Sequence, residues 1–192
     1  PSTPDHEPYS KRAMARDCIA LMRKLGHARF AVVGHDRGAY VALRTALDHP
    51  AAVDRLAVLD AVPIGEALAR CDALFAASWW HWFFFGQLEK PAERVIAADP
   101  EAWYKATSEH MGQEAYADYQ RAIHDPETVH AMMEDYRAGL GIDRRHDDDD
   151  RRAQRRVVCP ALVLWATGDD LPDLYGNVLD VWKDWADDLR GA

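Results

Sequence analysis

Ten residues, Ala31-Val32-Val33-Gly34-His35-Asp36-Arg37-Gly38-Ala39-Tyr40, constrain this chain more than any other stretch. A short β-branched run ends in Gly-His-Asp-Arg-Gly, and a helical pattern starts at once. Small residues two before and two after a central polar residue suit a sharp strand-to-helix turn. Gly34 and Gly38 are expected to let the backbone turn tightly, leaving the Asp36 side chain exposed at the carboxyl end of the strand. A carboxylate so placed is a candidate nucleophile: it can displace a leaving group from carbon, forming an ester that water then hydrolyses. An aspartate that only caps the helix would not explain glycines on both sides.

The rest of the chain is read against that turn. Its 192 residues suffice for one domain with a core, or a domain plus a small cap. A net charge of -9 argues against nucleic acid or an anionic membrane as the main partner. No apolar run approaches the roughly 18 residues that span a bilayer, and no signal-peptide pattern is visible. Cys18, Cys71 and Cys159 are few and far apart, as expected of reduced, buried thiols in a cytoplasmic protein without disulfide or zinc. A small-molecule partner is expected, no cofactor is, and a homodimer stays open.

Residues 1–9 read as a polar loop with a helix start around Pro8 to Ser10. Met14, Cys18, Leu21, Met22 and Leu25 recur at helical spacing, and Gly26 stands where a helix-ending glycine belongs. Phe30–Val33 is the strand before the turn, and its helix stops near Asp48, before Pro50. Arg55–Asp60 reads as a second buried strand, so strand, helix and strand imply a parallel βαβ unit. From Gly65 to about Gly139 only helical segments are predicted, opening on Trp79-Trp80-His81-Trp82-Phe83-Phe84-Phe85, and this insertion is read as a cap. Residues 140–156, with His146, Asp147 to Asp150, then Arg151, Arg152, Arg155 and Arg156, read as a solvated charged loop. Pro160–Ala166 returns to a strand, and Val178, Trp182, Trp185 and Leu189 mark one face of a last helix. The expected architecture is α/β: a mostly parallel core (1–64 and 140–192) with a helical cap (65–139). Three buried strands are too few for a self-sufficient sheet, which looks cut at both ends.

Other candidate site residues follow from placement. Arg37 can lend its backbone N–H to an anion hole, and its guanidinium can grip a substrate carboxylate. Tyr40, one helical turn after Asp36, is expected to reach the same pocket, whereas Arg44 is read as a surface or cap contact. Asp60 ends the second strand, where a carboxylate can orient a histidine base. Asp169 and Asp170, after the third strand, are the other placement for that acid. His81 and Trp82 offer N–H donors and Tyr136 an O–H donor, suited to a departing anion.

These pieces resemble one family. Gly34-His35-Asp36-Arg37-Gly38-Ala39, Leu56-Ala57-Val58-Leu59-Asp60, His81-Trp82 and Glu134-Asp135-Tyr136-Arg137-Ala138-Gly139 are similar to fluoroacetate (haloacetate) dehalogenases of the α/β-hydrolase superfamily. The likeness runs from Pro8-Tyr9-Ser10-Lys11-Arg12-Ala13-Met14 to Asp180-Val181-Trp182. It implies Asp36 as nucleophile, Arg37 as carboxylate clamp, Asp60 as the acid of the triad, and His81, Trp82 and Tyr136 as a halide pocket. The family usually carries a second arginine where this chain has Tyr40, which predicts weaker binding of a short carboxylate by about 1–3 kcal/mol. The family's base histidine follows the last sheet strand. His6, His27, His35, His49, His110, His124, His130 and His146 all stand elsewhere, so the chain reads as an internal segment of a longer enzyme, inactive alone. An epoxide hydrolase, with Tyr136 and one of Tyr104, Tyr116 or Tyr119 as donors, is the first alternative. A non-catalytic binding protein of the same fold is the second.

Overall fold

The structure, a computed structural model, describes residues 2–192. Helix α1 (Lys11–Lys24) starts at Ser10, whose hydroxyl accepts the Ala13 amide at 3.1 Å. It ends where Gly26 takes φ +89°, a left-handed conformation that glycine adopts without a Cβ penalty. Strand β1 (Phe30–His35), helix α2 (Arg37–Asp48) and strand β2 (Val53–Leu59) form the expected parallel unit, with Gly34 opposite Val58 and His35 opposite Leu59.

Between β2 and the next strand the chain runs only through helices among the described residues. These are α3 (Ile64–Ala69), α4 (Ala73–Ser78), α5 (Trp80–Phe85), α6 (Pro91–Ala98), α7 (Pro100–Trp103), α8 (Ser108–Met111), α9 (Gln113–Ile123) and α10 (Pro126–Ala138). A π-helical turn at Gly139–Asp143 leads straight into α11 (Arg144–Arg152). Then come β3 (Ala161–Leu164), α12 (Leu171–Tyr175), α13 (Val178–Trp182) and β4 (Leu189–Gly191). The four strands lie in sequence order and all pair in parallel.

Several expectations are corrected here. A fourth strand exists that periodicity cannot reveal, because three residues including Arg190 and Gly191 show no alternation. The last helix stops at Trp182 instead of running to Leu189. Trp182 and Trp185 are buried by hydrogen bonding as well as packing: their indole N–H groups donate to Ala61 O and Glu66 Oε1, each at 3.0 Å. Cys18 and Cys71 are exposed free thiols, not buried ones.

The largest correction concerns residues 140–156, which are helical as far as Arg152 where a solvated loop is expected. Asp143, Asp147 and Asp150 share one helical face, and all three are buried. Asp143 Oδ1 accepts the Lys11 amide at 2.9 Å, and Asp147 Oδ2 accepts the Gly65 amide at 2.9 Å. Asp150 pairs with Arg44 and, at 2.6 Å, with Arg155. Arg44 is therefore a buried ion-pair partner, 3% exposed, and not a surface residue. The acidic run folds because cations from α1 and α2 meet it; buried charges persist only when paired.

One sheet face packs through Leu56, Val58, Ala161 and Val163 against Ala39, Leu43 and Ala46 of α2 and against the C-terminal tryptophans. On the opposite face Val33 is 66% and Leu162 40% exposed. A second, smaller core joins Phe85, Ala92, Ile96, Val129 and Met133 within the helical segment. The site lies where α10 and α5 approach the start of α2.

Candidate active site

Asp36 stands at φ +50°, ψ −122°, a conformation that costs an L residue about 1–3 kcal/mol and persists only where its surroundings impose it. Its amide donates to Leu59 O at 3.2 Å, tying the turn to β2. Its side chain makes no helix-capping hydrogen bond, and the residue is exposed. A cap would have turned that oxygen inward; the carboxylate here is free for chemistry. Gly34 is required by close approach, since a Cβ there would lie 2.3 Å from Gly38 O. At Gly38 a Cβ would meet nothing within 4 Å, so only the first of the two glycines is sterically needed.

Arg37 is buried more deeply than a free clamp would be. Its Nε donates to Asp135 Oδ2 and its Nη2 to Asp135 O at 3.1 Å. Its Cζ sits 3.8 Å from the centre of the Tyr136 ring, with Tyr40 and Trp82 near 5.8 and 5.9 Å. Burial opposes its charge, but Asp135, with Tyr136 and Tyr40, outweighs it and raises its pKa. Asp135 in turn pairs with Lys11 Nζ of α1, which lies 3.4 Å from Asp143 Oδ2.

Asp36, Arg37, Asp135 and Tyr136 line one cleft of about 490 Å³, together with Phe85 and Tyr104. His81 and Trp82 do not line it; they pack behind Tyr136, with ring centres 5.9 and 6.5 Å from it. His81 still feels the site. Burial first, then Arg37, lowers its pKa, while Asp36 opposes them, so the imidazole is neutral near pH 7. Burial raises the Tyr136 pKa, leaving its hydroxyl protonated. Tyr40 is placed differently from expectation. It is 6% exposed, off the cleft wall, and edge-on to Trp82 at 6.2 Å, because the inner face of α2 turns it into the core.

Asp60 also stands at positive φ, +51°, at the end of β2. One carboxylate oxygen accepts the Ala166 amide at 2.7 Å, and the other lies 3.4 Å from His35 Nε2. The pairing of β1 with β2 explains that contact, since His35 faces Leu59, one residue before Asp60. Asp170 accepts the Trp79 indole N–H, which commits it to the helical segment, while Asp169 caps the Asp170 amide at 2.8 Å.

Two residues escape sequence reasoning. Asp135 and Lys11 lie within the resembling motifs, yet nothing local shows that they pair with each other and with Arg37. Tyr104 was one of three tyrosines without a place. It lines the cleft, and its buried hydroxyl has no hydrogen-bond partner among the described residues. Tyr116 and Tyr119 stack on each other instead, ring centres 6.1 Å apart.

A parallel sheet, a strained carboxylate between strand and helix, and a helical segment inserted between β2 and β3 define the class. The chain belongs to the alpha/beta hydrolase fold family, whose pattern it matches over residues 1–188. It is 42% identical to a fluoroacetate dehalogenase from Burkholderia sp, over 98% of this chain and 64% of that protein. It is 26% identical to a soluble epoxide hydrolase from Corynebacterium sp. (strain C12), over 96% of this chain and 65% of that protein. The crystal structure of a proposed alpha/beta hydrolase from Nostoc sp PCC 7120 superposes with a TM-score of 0.90 at 41% identity, covering 99% of this chain and 67% of the other. The chain thus spans just under two thirds of the length of these curated relatives.

Proposed function

We propose that the protein carrying this chain is a hydrolase that removes halide from a small haloacid, with Asp36 as nucleophile. The observation that carries this reading is the uncapped Asp36 carboxylate, held at φ +50° in a cleft shared with Arg37 and Tyr136. Arg37 grips the substrate carboxylate and sets its α-carbon against Asp36. Asp36 attacks that carbon, the carbon–halogen bond breaks with its electron pair, and the halide leaves toward Tyr136 on the cleft wall. The protonated Tyr136 hydroxyl can donate a hydrogen bond to it, with His81 and Trp82 packed behind that ring. Water then attacks the carboxyl carbon of the Asp36 ester, releasing the hydroxy acid and restoring the aspartate. Asp60 is placed to orient the histidine that activates this water. We place that base in the third of the relatives' length that this chain does not span. The helical segment 65–139 acts as the cap.

Full-length protein incubated with fluoro-, chloro- and bromoacetate should release halide. A single turnover in ¹⁸O-water should label the peptide containing Asp36, and an unlabelled peptide removes Asp36 from the role.

One observation favours a second reading. The unpartnered Tyr104 hydroxyl lines the same cleft as Tyr136 and Asp36, an arrangement suited to hold an epoxide oxygen. Diol formation from an epoxide without halide release from any haloacetate would select it.

A further inference from the structure

We propose that Asp135 is a positioning residue. It holds the Arg37 guanidinium off the Asp36 carboxylate and leaves one edge of it as a subsite for the carboxylate of a small anion. The proposal rests on the reading of Asp36 as nucleophile and Arg37 as clamp.

Arg37 follows Asp36 directly in the chain and carries the opposite charge. Left without another partner in a half-buried cleft, such a guanidinium folds onto the adjacent carboxylate, because the pair is worth more there than in water. That pairing would blunt the nucleophile and consume the clamp together. The structure shows a competitor instead. The Asp135 side chain takes Nε and the Asp135 carbonyl takes Nη2 at 3.1 Å, so one residue grips two guanidinium nitrogens and fixes the plane of the group. The ring of Tyr136, next in the chain, has its centre 3.8 Å from the guanidinium carbon. Asp135 leaves Nη1 unengaged, and Arg37 lines the cleft with Asp36.

Asp135 is itself prevented from swinging away. Lys11 Nζ holds its other oxygen, and Lys11 is anchored through its amide and Nζ to Asp143 at 2.9 and 3.4 Å. Helix α1, which also lines the cleft through Met14, thereby sets the angle of the clamp. The two cations and two anions of this chain balance, so the unbalanced charge left in the cleft is that of Asp36.

The test is the affinity of glycolate, the hydroxy acid that haloacetate hydrolysis would form, measured by calorimetry on full-length protein. D135N should bind it about tenfold more weakly, the worth of one oriented charge-assisted hydrogen bond. D135E, which keeps the charge, should recover part of the loss. The sign is decisive, because removing a nearby negative charge would by itself tighten an anion. Unchanged or tighter binding in D135N overturns the proposal, as does wild-type protein that binds no glycolate. Weaker binding without halide release from any haloacetate leaves the role of Asp135 standing and overturns the dehalogenase reading instead.

A second measurement needs no change at Asp135, should that variant not fold. In protein labelled with ¹⁵N-arginine, the Arg37 Nε–H signal, assigned by its loss in R37K, should exchange with water about tenfold more slowly than those of exposed arginines. Exchange as fast as theirs overturns the proposal.

Discussion

Asp147 sits where the helical segment joins the core, and replacing it by Asn should make the protein more stable above neutral pH. The carboxyl is 8% exposed, accepts the Gly65 amide at 2.9 Å, and faces Arg44, Asp143 and Asp150. Burial pushes its pKa from 3.8 up to about 7; the Gly65 amide and Arg44 pull the other way and lose, while the two aspartates add to the rise. The native state therefore holds a proton that the unfolded state releases between those values. The stability this lends is fully present below pH 3.8 and is lost as pH rises through about 7. At about 1.4 kcal/mol per pH unit, the rise is worth about 4 kcal/mol, and relaxation around the charge brings the expected gap to about 2–4 kcal/mol. D147N keeps an oxygen for Gly65 and cannot ionise. Urea unfolding followed by the fluorescence of the seven tryptophans, from pH 4 to pH 9, checks this. The difference between variant and wild type should open from near zero at pH 4 to a plateau above pH 7. Parallel profiles, or a variant less stable than wild type at pH 8, would show that Arg44 keeps Asp147 ionised and refute the reasoning.

Other consequences are open to direct measurement. G34A puts a Cβ 2.3 Å from Gly38 O, backbone against backbone, and should cost about 3 kcal/mol in a denaturation experiment. G38A, with nothing within 4 Å, should cost under about 1 kcal/mol and serves as its control. Y104F should lower turnover of an epoxide about 100-fold while leaving halide release unchanged; equal loss in both assays would mean the hydroxyl only supports the cleft. His81, lowered by burial and by Arg37, should titrate below its ordinary 6.5 when followed by NMR, and a midpoint at or above that value would place it away from both influences.

How far the fold is written locally depends on where each segment finds its partners. The turn around Asp36 is legible because its requirements are local: β-branched residues, a glycine at the close approach, and a helix start. The Ser10 cap and the Gly26 stop are legible for the same reason. Residues 140–156 are not, since an acidic run is solvated unless cations reach it, and Lys11 and Arg44 come from α1 and α2. A trace was present nonetheless: Asp143, Asp147 and Asp150 recur at helical spacing, the pattern of one buried face. Strand β4 left no such trace, being three residues long and recognisable only by its pairing with β3.

The site divides along the same line, and Tyr40 shows why. Counting cations along the sequence gives Arg37 where related dehalogenases have two arginines, and predicts a weaker grip on a short carboxylate. The structure changes the meaning of that count. Tyr40 points into the core beneath Trp82, and Arg37 is already matched by Asp135, so the unbalanced charge of the cleft is that of Asp36, the proposed nucleophile. Anion binding then depends less on the number of cations than on whether the free edge of one guanidinium is held at the right angle. That angle is set by Asp135 and, through it, by Lys11 at the start of α1. The proposed anion subsite therefore depends on a pairing 98 residues apart in the chain, which no local reading of the Asp36 turn contains.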